Sequence, residues 1–395
     1  MTKSGLRIAL LNHNPLNRTD AVTTHILGFA RILKGLGNHV EIFVLSDRDR
    51  VSKFGDYEQQ EINQPLHPDR SKFSYAIDAV SVLLFSKRPF MWIMNHNKKL
   101  IGALTEYNPD VIIEFDYILA GLLHRFRNLQ SKKPKTLFIV DFYKNMFYAG
   151  KVKAEKFPFK ELLKSRFVKF KMDSFKKTLH SCDGIVLPSE FFQKKTQNDF
   201  PHYKKKIFSV APLLYFGIRS NKKVRPKTSV EKILYVSPYA PFGQPMSDIR
   251  NVIAPALPDK IIVIGGRRCP KKVEKNVHYV GTVKDVYKLI ASCDVCIEPN
   301  KENSGNRTKV FDYLLENKPV IANRISFAGY NVKDRYNVLI EENVKKFADR
   351  IKELDTNKEL LVRLQKNAHT ALKGRFEPDI KLRWKVVLDR LFMHE

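Results

Sequence analysis

Short apolar runs alternate with amphipathic segments along most of the chain. Residues 7–11 and 40–45 are apolar runs, and residues 22–36 between them place apolar side chains at helical spacing and end near two glycines. A strand, a helix and a second strand in this order are typical of a parallel sheet covered by helices on both faces. We therefore expect an α/β fold.

The alternation continues to the end of the chain, with one long polar excursion at residues 46–72. Apolar runs predict further strands at 111–115, 136–140, 184–187, 207–211, 232–236, 260–264, 278–280, 295–298 and 320–322. Periodic segments predict later helices at 283–291, 308–316, 344–354, 358–372 and 380–392.

A stretch rich in Lys, Arg and Ser interrupts the alternation at residues 215–231. With 395 residues, the chain is too long for one ordinary core. We predict two doubly wound, Rossmann-like domains that face a cleft, with ligands at the carboxyl ends of the strands. The predicted boundaries are 1–214 for the first domain, 215–231 for the linker, 232–376 for the second domain and 377–395 for a terminal helix that can cross back to the first.

The charge is strongly positive. The chain has 70 Lys and Arg against 41 Asp and Glu, which gives a formal net charge of +29. Such an excess argues for anionic partners, and nucleic acid, anionic lipid and nucleotides all qualify.

The sequence contains no recognisable targeting signal and no apolar run of the roughly 18 residues that a membrane span needs. Its four cysteines fit a reducing compartment. Cys293 and Cys296 form a lone pair without a second pair for zinc, which favours a structural role. We expect a cytoplasmic protein that can contact a membrane surface.

The most informative segment is 304–322, in which a small-residue turn precedes a short amphipathic helix and a buried strand. A helix start favours a bound anion, Gly305 permits close approach, and Arg307 and Lys309 add positive charge. Asp312 lies about one turn beyond Lys309, where its carboxylate can reach a sugar hydroxyl attached to a diphosphate. The alternative is an ordinary helix start with two solvated cations.

Five segments of the chain have the form of known sequence blocks. They are Asp183-Gly-Ile-Val-Leu-Pro-Ser-Glu190, Val277-His-Tyr-Val-Gly281, Ile290-Ala-Ser-Cys-Asp294, Lys309-Val-Phe-Asp-Tyr-Leu-Leu-Glu-Asn-Lys-Pro-Val-Ile-Ala322 and Asp334-Arg-Tyr-Asn-Val-Leu339. These segments resemble blocks of the GT-B glycosyltransferases, both the group 1 family and the membrane-associated glucuronosyltransferase that builds xanthan. The similarity spans nearly the whole chain.

The resemblance implies that the second domain binds a nucleotide-diphosphate sugar and the first domain binds the acceptor. It assigns Lys309 to the phosphates, Asp312 to the ribose, and the Gly265-Gly266 pair to a close-approach turn, for which a plain turn is the alternative. The implied donor-binding residues are Gly265, Gly266, Ser304, Gly305, Arg307, Thr308, Lys309 and Asp312.

Two departures from the family pattern leave the stereochemical outcome open. Retaining members carry two glutamates eight positions apart, whereas this chain has Asp312 and, eight positions before it, Ser304. The family also places an Arg and a Lys after the first strand of the second domain, where this chain has neither. Arg307, Lys309 and the pair at 267–268 are the candidate replacements.

Catalytic and acceptor-binding residues are expected in the first domain. Asp141 follows a predicted strand and resembles the carboxylate of the inverting xanthan enzyme, with helix capping or an ion pair as the alternative role. His25 corresponds to a histidine that the family often has at the cleft, although a lone histidine is more often structural. The acceptor-side candidates are Asn12, Asn14, Glu114 and Asp116.

Residues 151–177 interleave Lys and Arg with phenylalanines, which is typical of a helix on an anionic bilayer. Residues 87–93 can add an aromatic anchor. A core helix with a solvated basic face is the alternative.

Taken together, the residues and the resemblance predict a glycosyltransferase, peripheral on the inner face of the cell membrane. It would move a sugar from a nucleotide-diphosphate sugar to a lipid-linked or glycan acceptor, as in polysaccharide biosynthesis. No cofactor or metal is expected, because no Asp-x-Asp motif is visible. A GT-B-fold nucleotide-sugar epimerase is the alternative within the fold. A basic nucleic-acid-binding protein is the alternative class, but no zinc finger, RNP-type or helix-turn-helix motif supports specific nucleic-acid binding.

Overall fold

The fold was analysed in a computed structural model. It describes residues 5–12, 21–46, 50–54, 57–63, 97–115, 119–140, 172–173, 175–213, 227–237, 244–266, 269–300 and 307–393. Contacts divide the chain into two compact units. Unit 1 comprises Met1–Tyr215 with Glu377–Glu395, and unit 2 comprises Phe216–Phe376.

The described part of unit 1 contains an eight-stranded sheet in the order β3-β4-β2-β1-β5-β6-β7-β8, in which only β3 and β4 pair antiparallel. The strands are β1 (Arg7–Asn12), β2 (His39–Ser46), β3 (Arg50–Phe54), β4 (Tyr57–Asn63), β5 (Val111–Phe115), β6 (Lys135–Ile139), β7 (Gly184–Leu187) and β8 (Ile207–Ser209). The helices are α1 (Ala21–Gly35), α2 (Lys98–Tyr107), α3 (Ala120–Leu129), α4 (Glu190–Asp199) and the 3₁₀ helix Pro201–Lys206.

The described part of unit 2 contains a seven-stranded sheet in the order β11-β12-β10-β9-β13-β14-β15, in which only β11 and β12 pair antiparallel. The strands are β9 (Lys232–Val236), β10 (Ile261–Gly265), β11 (Lys271–Glu274), β12 (Val277–Val280), β13 (Val295–Glu298), β14 (Val320–Ala322) and β15 (Leu339–Ile340). The helices are α5 (Gln244–Asp248), the π turn Ile249–Ile253, α6 (Val286–Ser292), α7 (Thr308–Leu315), α8 (Phe347–Thr356), α9 (Lys358–Asn367) and the 3₁₀ helices Arg324–Phe327, Val344–Lys346 and Ala368–Leu372.

Both sheets share one parallel core topology. Counting parallel strands along each unit, the order begins 3-2-1-4 and then continues outward. The chain therefore reverses its direction of travel beside the first strand, between β1 and β5 in unit 1 and between β9 and β13 in unit 2. Such a reversal leaves a crevice at the carboxyl ends of the strands, where doubly wound folds bind their ligands.

The terminal helix α10 (Glu377–Phe392) belongs to unit 1. Trp384 is fully buried, and its ring lies 5.3 Å from that of Phe29 on α1 in an edge-on contact. Arg31 on α1 pairs with Glu377 at 3.1 Å. The last helix therefore completes the core of the unit that also contains the beginning of the chain.

The predicted α/β class and the two mostly parallel sheets are confirmed. The sequence pattern did not predict β3, β4, β11 or the two-residue strand β15. Strand β4 has a polar sequence, and its Gln59 and Glu61 are both buried. Apolar periodicity is absent from β4 because its buried face is polar. The segment 46–72, which was predicted to be a long polar connection, therefore contains an edge hairpin.

Candidate active site

The crevice of unit 2 begins where β9 and β13 separate. The two strands pair only at Val295 with Ile233 and at Cys296 with Leu234. On its other side, β9 stays paired with β10 as far as Val236. The last residues of β9 and β13 are therefore no longer joined to each other, and the gap opens at the carboxyl end of the sheet.

Helix α7 is fastened to this gap by two side chains one turn apart. The Lys309 ammonium donates to the Val236 carbonyl oxygen at 3.0 Å. The Val236 N–H donates to the Tyr313 hydroxyl at 2.8 Å. Both backbone polar groups of Val236, at the end of β9, thus bind side chains of α7. These groups need such partners because β13 no longer pairs with β9 at this point. The start of α7 is held at the crevice.

Lys309 also forms a buried ion pair with Glu298, the last residue of β13. Its ammonium lies 2.6 Å from Glu298 Oε2, and the Glu298 side chain has no solvent exposure. The same ammonium lies 4.2 Å from the centre of the Tyr235 ring. The predicted phosphate-binding lysine is therefore held by a carboxylate, a carbonyl oxygen and an aromatic face of its own unit.

Glu298 was not predicted as a site residue. Its second carboxylate oxygen, Oε1, is buried and has no hydrogen-bond partner within the described ranges. A usable signal was present in the sequence, because a glutamate that ends an otherwise apolar run lies at the carboxyl end of a parallel strand. The pKa of the neighbouring Tyr235 is raised, mainly by burial and also by Glu298, while Lys309 opposes the shift.

Asp312, the predicted ribose ligand, lies on α7 facing α6. The Tyr287 hydroxyl donates to Asp312 Oδ1 at 2.9 Å. Tyr287 is itself fixed by the start of α6, where the Asp285 side chain accepts from its N–H at 3.0 Å. Asp312 is therefore half-buried, and its carboxylate binds the Tyr287 hydroxyl. The sequence gave no reason to select Tyr287 as a site residue.

Arg307 and Thr308 form the start of α7. Arg307 is the N-cap residue, and its side chain makes no capping hydrogen bond. Its carbonyl oxygen accepts from the Tyr330 hydroxyl at 2.7 Å. Thr308 is the first residue of the helix and is half-buried.

Gly265 and Gly266 form a tight junction at the end of β10. Gly266 has φ +145°, and a Cβ atom on it would lie 1.9 Å from the Ser237 carbonyl oxygen. A Cβ atom on Gly265 would lie 2.5 Å from a Leu289 methyl group. At this turn, the backbone at the end of β10 thus lies very close to the backbone at the end of β9.

The described acceptor-side candidates lie at the corresponding end of the sheet in unit 1. Register pairs Leu11 with Glu114, so Asn12 at the end of β1 lies beside the end of β5. Both side chains are buried, as is His25 on α1. Glu114 Oε1 accepts the N–H of Leu119 at 2.6 Å, which joins the end of β5 to the residue before α3.

Five of the predicted site residues lie outside the described residues. They are Asn14, Asp116, Asp141, Ser304 and Gly305. The segment 87–93 and most of 151–177 also lie outside them. Of the phenylalanines in the predicted membrane helix, Phe175 is described; it is fully buried, and its ring lies 5.2 Å from that of Phe200.

A separate groove of about 1030 Å³ lies in unit 1 at the amino ends of β1, β2 and the neighbouring strand β4. Its polar groups largely bind one another. Arg7 Nε donates to the Tyr107 carbonyl oxygen at 2.8 Å, the Tyr107 hydroxyl donates to the His39 carbonyl oxygen at 3.0 Å, and Gln60 bonds to Glu41. The groove lies at the amino end of the unit 1 sheet, whereas the acceptor-side candidates lie at its carboxyl end.

All four cysteines are buried and reduced. Across the part of the chain that the structure describes, no group of three or more His, Cys, Asp or Glu side chains is placed to hold a metal ion. No helix among the described segments is both long and apolar enough to cross a membrane.

Comparison with solved structures gives the fold its class. The sucrose-phosphate synthase of Thermosynechococcus elongatus superposes with a TM-score of 0.70 at 14% identity, covering 98% of this chain and 99% of that one. S. aureus TarM, in complex with fondaparinux, alpha-GlcNAc-glycerol and UDP, gives 0.64 at 11% identity, with 98% and 100% covered. Starch Synthase IV of Arabidopsis thaliana, bound to ADP and acarbose, gives 0.64 at 11% identity, with 98% and 99% covered.

The fold is that of the GT-B glycosyltransferases. Its residues 244–357, which include β10, α7 and the Lys309–Glu298 pair, match the family model of group 1 glycosyl transferases. A search among curated proteins gives no match.

Proposed function

We propose that this protein is a glycosyltransferase that transfers a sugar from a nucleotide-diphosphate donor to a lipid-linked or glycan acceptor at the cytoplasmic face of the membrane. The observation that carries the proposal is the start of α7, which is fixed at the crevice between β9 and β13. In this proposal the donor diphosphate lies against that helix start and the acceptor lies in unit 1.

Electrostatics support a diphosphate at this place. The first N–H groups of a helix and its positive dipole end favour an anion, and they need no reorganisation when a leaving group gains charge. Arg307 adds a fixed cation at the N-cap. Lys309 can contribute its charge when its ammonium turns from Glu298 towards the phosphate, and Asp312 is placed about one turn further along α7 for a ribose hydroxyl.

The acceptor assignment rests on position in unit 1. Asn12, His25 and Glu114 are buried polar residues at or near the carboxyl ends of β1 and β5. TarM and Starch Synthase IV are described with alpha-GlcNAc-glycerol and acarbose, which favours a glycan acceptor for a chain of the same fold. We keep Asp141 as the proposed general base, since it follows β6 in the same sheet.

Donor binding is tested by thermal shift and calorimetry with UDP, ADP and GDP. The informative variant combines Lys309→Met with Glu298→Gln, because replacing the lysine alone would leave a buried carboxylate unpaired. The exposed Lys288→Ala on α6 is the matched control. We expect at least one nucleotide to stabilise the wild type and the control, and the double variant to bind it at least tenfold more weakly.

The alternatives give different outcomes in the same experiment. Stabilisation by oligonucleotides and by none of the nucleoside diphosphates would replace the proposal with nucleic-acid binding. An epimerase would convert a nucleotide sugar without an acceptor, so conversion of the donor sugar in acceptor-free reactions would contradict sugar transfer. Activity that survives EDTA is expected, because the helix end and the cations stabilise the leaving diphosphate in this proposal.

Membrane association is tested with lipid vesicles. The net charge of +29 predicts binding to vesicles that contain an anionic phospholipid, and weaker binding as salt concentration rises. Neutral phosphatidylcholine vesicles are the control. If the protein does not sediment with anionic vesicles at physiological salt, the membrane part of the proposal is wrong and the donor part is unaffected.

A further inference from the structure

Helix α7 begins at a residue whose own side chain does not cap it. Its N-cap residue is Arg307, whose side chain makes no capping hydrogen bond, and its first turn contains no acidic residue. The first N–H groups of a helix need partners, and Ser, Thr, Asp or Asn normally supplies one from the N-cap position. Arg307 supplies no such acceptor, so contacts of the Arg307 backbone matter more for the position of the helix start.

Tyr330 binds the backbone of Arg307 from the loop that follows β14. Its hydroxyl donates to the Arg307 carbonyl oxygen at 2.7 Å. Tyr330 is 8% exposed, and its own N–H donates to the Phe327 carbonyl oxygen at 2.9 Å. A buried hydroxyl from another part of the unit thus anchors the backbone of the N-cap residue.

Arg375 holds Tyr330 in place. Its guanidinium carbon lies 3.9 Å from the centre of the Tyr330 ring, and its Nε donates to the Gly329 carbonyl oxygen at 3.0 Å. Arg375 is 2% exposed, so this stacking is shielded from water. The adjacent Asn331 N–H donates to the Ala371 carbonyl oxygen at 3.0 Å, which ties the same loop to the 3₁₀ helix before Arg375.

The Tyr330 hydroxyl remains a donor at all pH values at which an enzyme is assayed. Burial raises the pKa of Tyr330 to about 12, with Arg375 opposing the shift and Asp312 adding to it. The phenol is therefore protonated and uncharged.

We propose that Tyr330, braced by Arg375, is a positioning residue that fixes the start of α7 for the donor diphosphate. This inference rests on the proposed function, because it assumes that the diphosphate binds at that helix start. Tyr330 acts through the backbone of Arg307 and its neighbours, so it sets the direction of the helix N–H groups and of the Arg307 and Lys309 side chains.

The test is Tyr330→Phe in the full-length protein, because this change keeps the ring and its stacking on Arg375 and removes the hydroxyl. Tyr336→Phe is the matched control, since Tyr336 lies in the same unit and is 40% exposed. The probe is whichever of UDP, ADP and GDP the wild type binds, measured calorimetrically at 20 °C. We expect a three- to tenfold weaker affinity and an equally raised KM for the donor in Tyr330→Phe, with the acceptor KM unchanged.

Hydrogen exchange supplies a second readout. Amides 308–311 should exchange faster in Tyr330→Phe than in the wild type, and Arg375→Lys, which loses the planar stacking, should change affinity and exchange in the same direction. Lower thermal stability with wild-type nucleotide affinity would show a merely structural role and overturn the inference while leaving the proposed function intact. If the wild type binds no nucleoside diphosphate, the proposed function fails first.

Discussion

The pair formed by Lys309 and Glu298 dominates the site at the scale of single residues. Glu298 is completely buried, and the Lys309 ammonium is its charged partner at 2.6 Å. Removing one member of a buried ion pair leaves the other charge in a medium that solvates it poorly. Any substitution of Lys309 therefore changes stability as well as charge at the crevice, and the two effects must be measured separately.

We predict that Lys309→Ala lowers the free energy of unfolding by about 3–5 kcal/mol, as expected when a buried pair is broken. Adding Glu298→Gln should restore much of this loss, because the uncompensated carboxylate is gone. Chemical denaturation of the three proteins measures the coupling. The control is Lys272→Ala, which breaks an exposed pair with Glu274 and should leave stability unchanged. Full stability in Lys309→Ala alone would contradict the pairing.

Gly266 gives a second prediction for a single residue. Its φ of +145° and the position of the Ser237 carbonyl oxygen, 1.9 Å from where a Cβ would lie, leave no room for a side chain. Gly266→Ala should cost about 3 kcal/mol or more, through backbone strain and displacement of the β9 end. Thermal unfolding measures it.

Gly281→Ala is the control for Gly266. Gly281 also has a positive φ, +87°, but the nearest atom to an added Cβ would lie 3.7 Å away. Strain alone should then cost about 1–2 kcal/mol. Equal losses in the two variants would mean that the contact with Ser237 does not constrain this turn.

Single residues differ in how far the sequence reveals them. Lys309 and Asp312 were predicted because a helix start and a one-turn spacing are local properties of the chain. Glu298 had a weaker local signal, as a charged residue ending an apolar strand. Tyr330 had no local signal, because its role depends on a contact with Arg307. The two residues come together only when the loop after β14 folds.

Among the helices and strands, α10 shows most clearly that an element can pack against a part of the chain that is far away in sequence. The helix follows unit 2 in the chain but packs on α1 of unit 1 through Trp384 and Phe29. Its apolar periodicity predicted a helix, and periodicity carries no information about which sheet the apolar face covers.

We predict that Trp384→Ala destabilises unit 1 by about 3–5 kcal/mol, because it removes a large, fully buried ring from a packed core. Limited proteolysis should then cleave within unit 1 before unit 2. Leu382→Ala on the same helix is the control; Leu382 is 63% exposed, and its loss should change stability by no more than about 0.5 kcal/mol. Faster cleavage of unit 2 in Trp384→Ala would show that α10 supports the other unit.

The edge strands show why some elements escaped prediction. Most parallel strands of both sheets are short apolar runs, since helices cover both faces, and these runs were predicted except for the two-residue strand β15. Strands β3, β4 and β11 lie in edge hairpins with polar or exposed side chains, so their backbone pairing with β2 and β12, and not their composition, makes them strands.

At the scale of the whole molecule, acid-sensitive contacts fasten the sheet of unit 2. In unit 2, Asp294 accepts backbone N–H groups of Glu231 and Lys232 and pairs with Lys227, which fastens the start of β9. Burial raises the pKa of Asp294, but these hydrogen bonds outweigh it and the net pKa is lowered. The pKa of Asp355 is lowered in the same way, by Lys260 and the Val230 N–H against burial.

A carboxyl group whose pKa is lower in the folded protein than the usual value near 4 stabilises the fold above that pH. This stability is lost as pH falls through the folded pKa. We predict that Asp294→Asn destabilises unit 2 by about 1–3 kcal/mol at neutral pH, and that the difference from wild type shrinks below about pH 4.

Urea unfolding between pH 7 and pH 3 measures this difference. Asp379→Asn, on the exposed side of α10, should track the wild type at every pH. A gap between wild type and Asp294→Asn that stays constant down to pH 3 would show that the carboxylate is not what fastens the strand.

Local patterns were enough to predict the α/β class, the two parallel sheets and the helix start that carries Arg307, Lys309 and Asp312, because periodicity, helix-start chemistry and one-turn spacings are encoded locally. Only the folded chain shows the partners of these residues: Glu298 pairs with Lys309, Tyr287 binds Asp312, and Tyr330, stacked on Arg375, binds the Arg307 carbonyl oxygen. The folded chain also shows that α10 packs in unit 1. These contacts join residues far apart in the chain, and their partners are selected by packing and burial, which no local pattern records.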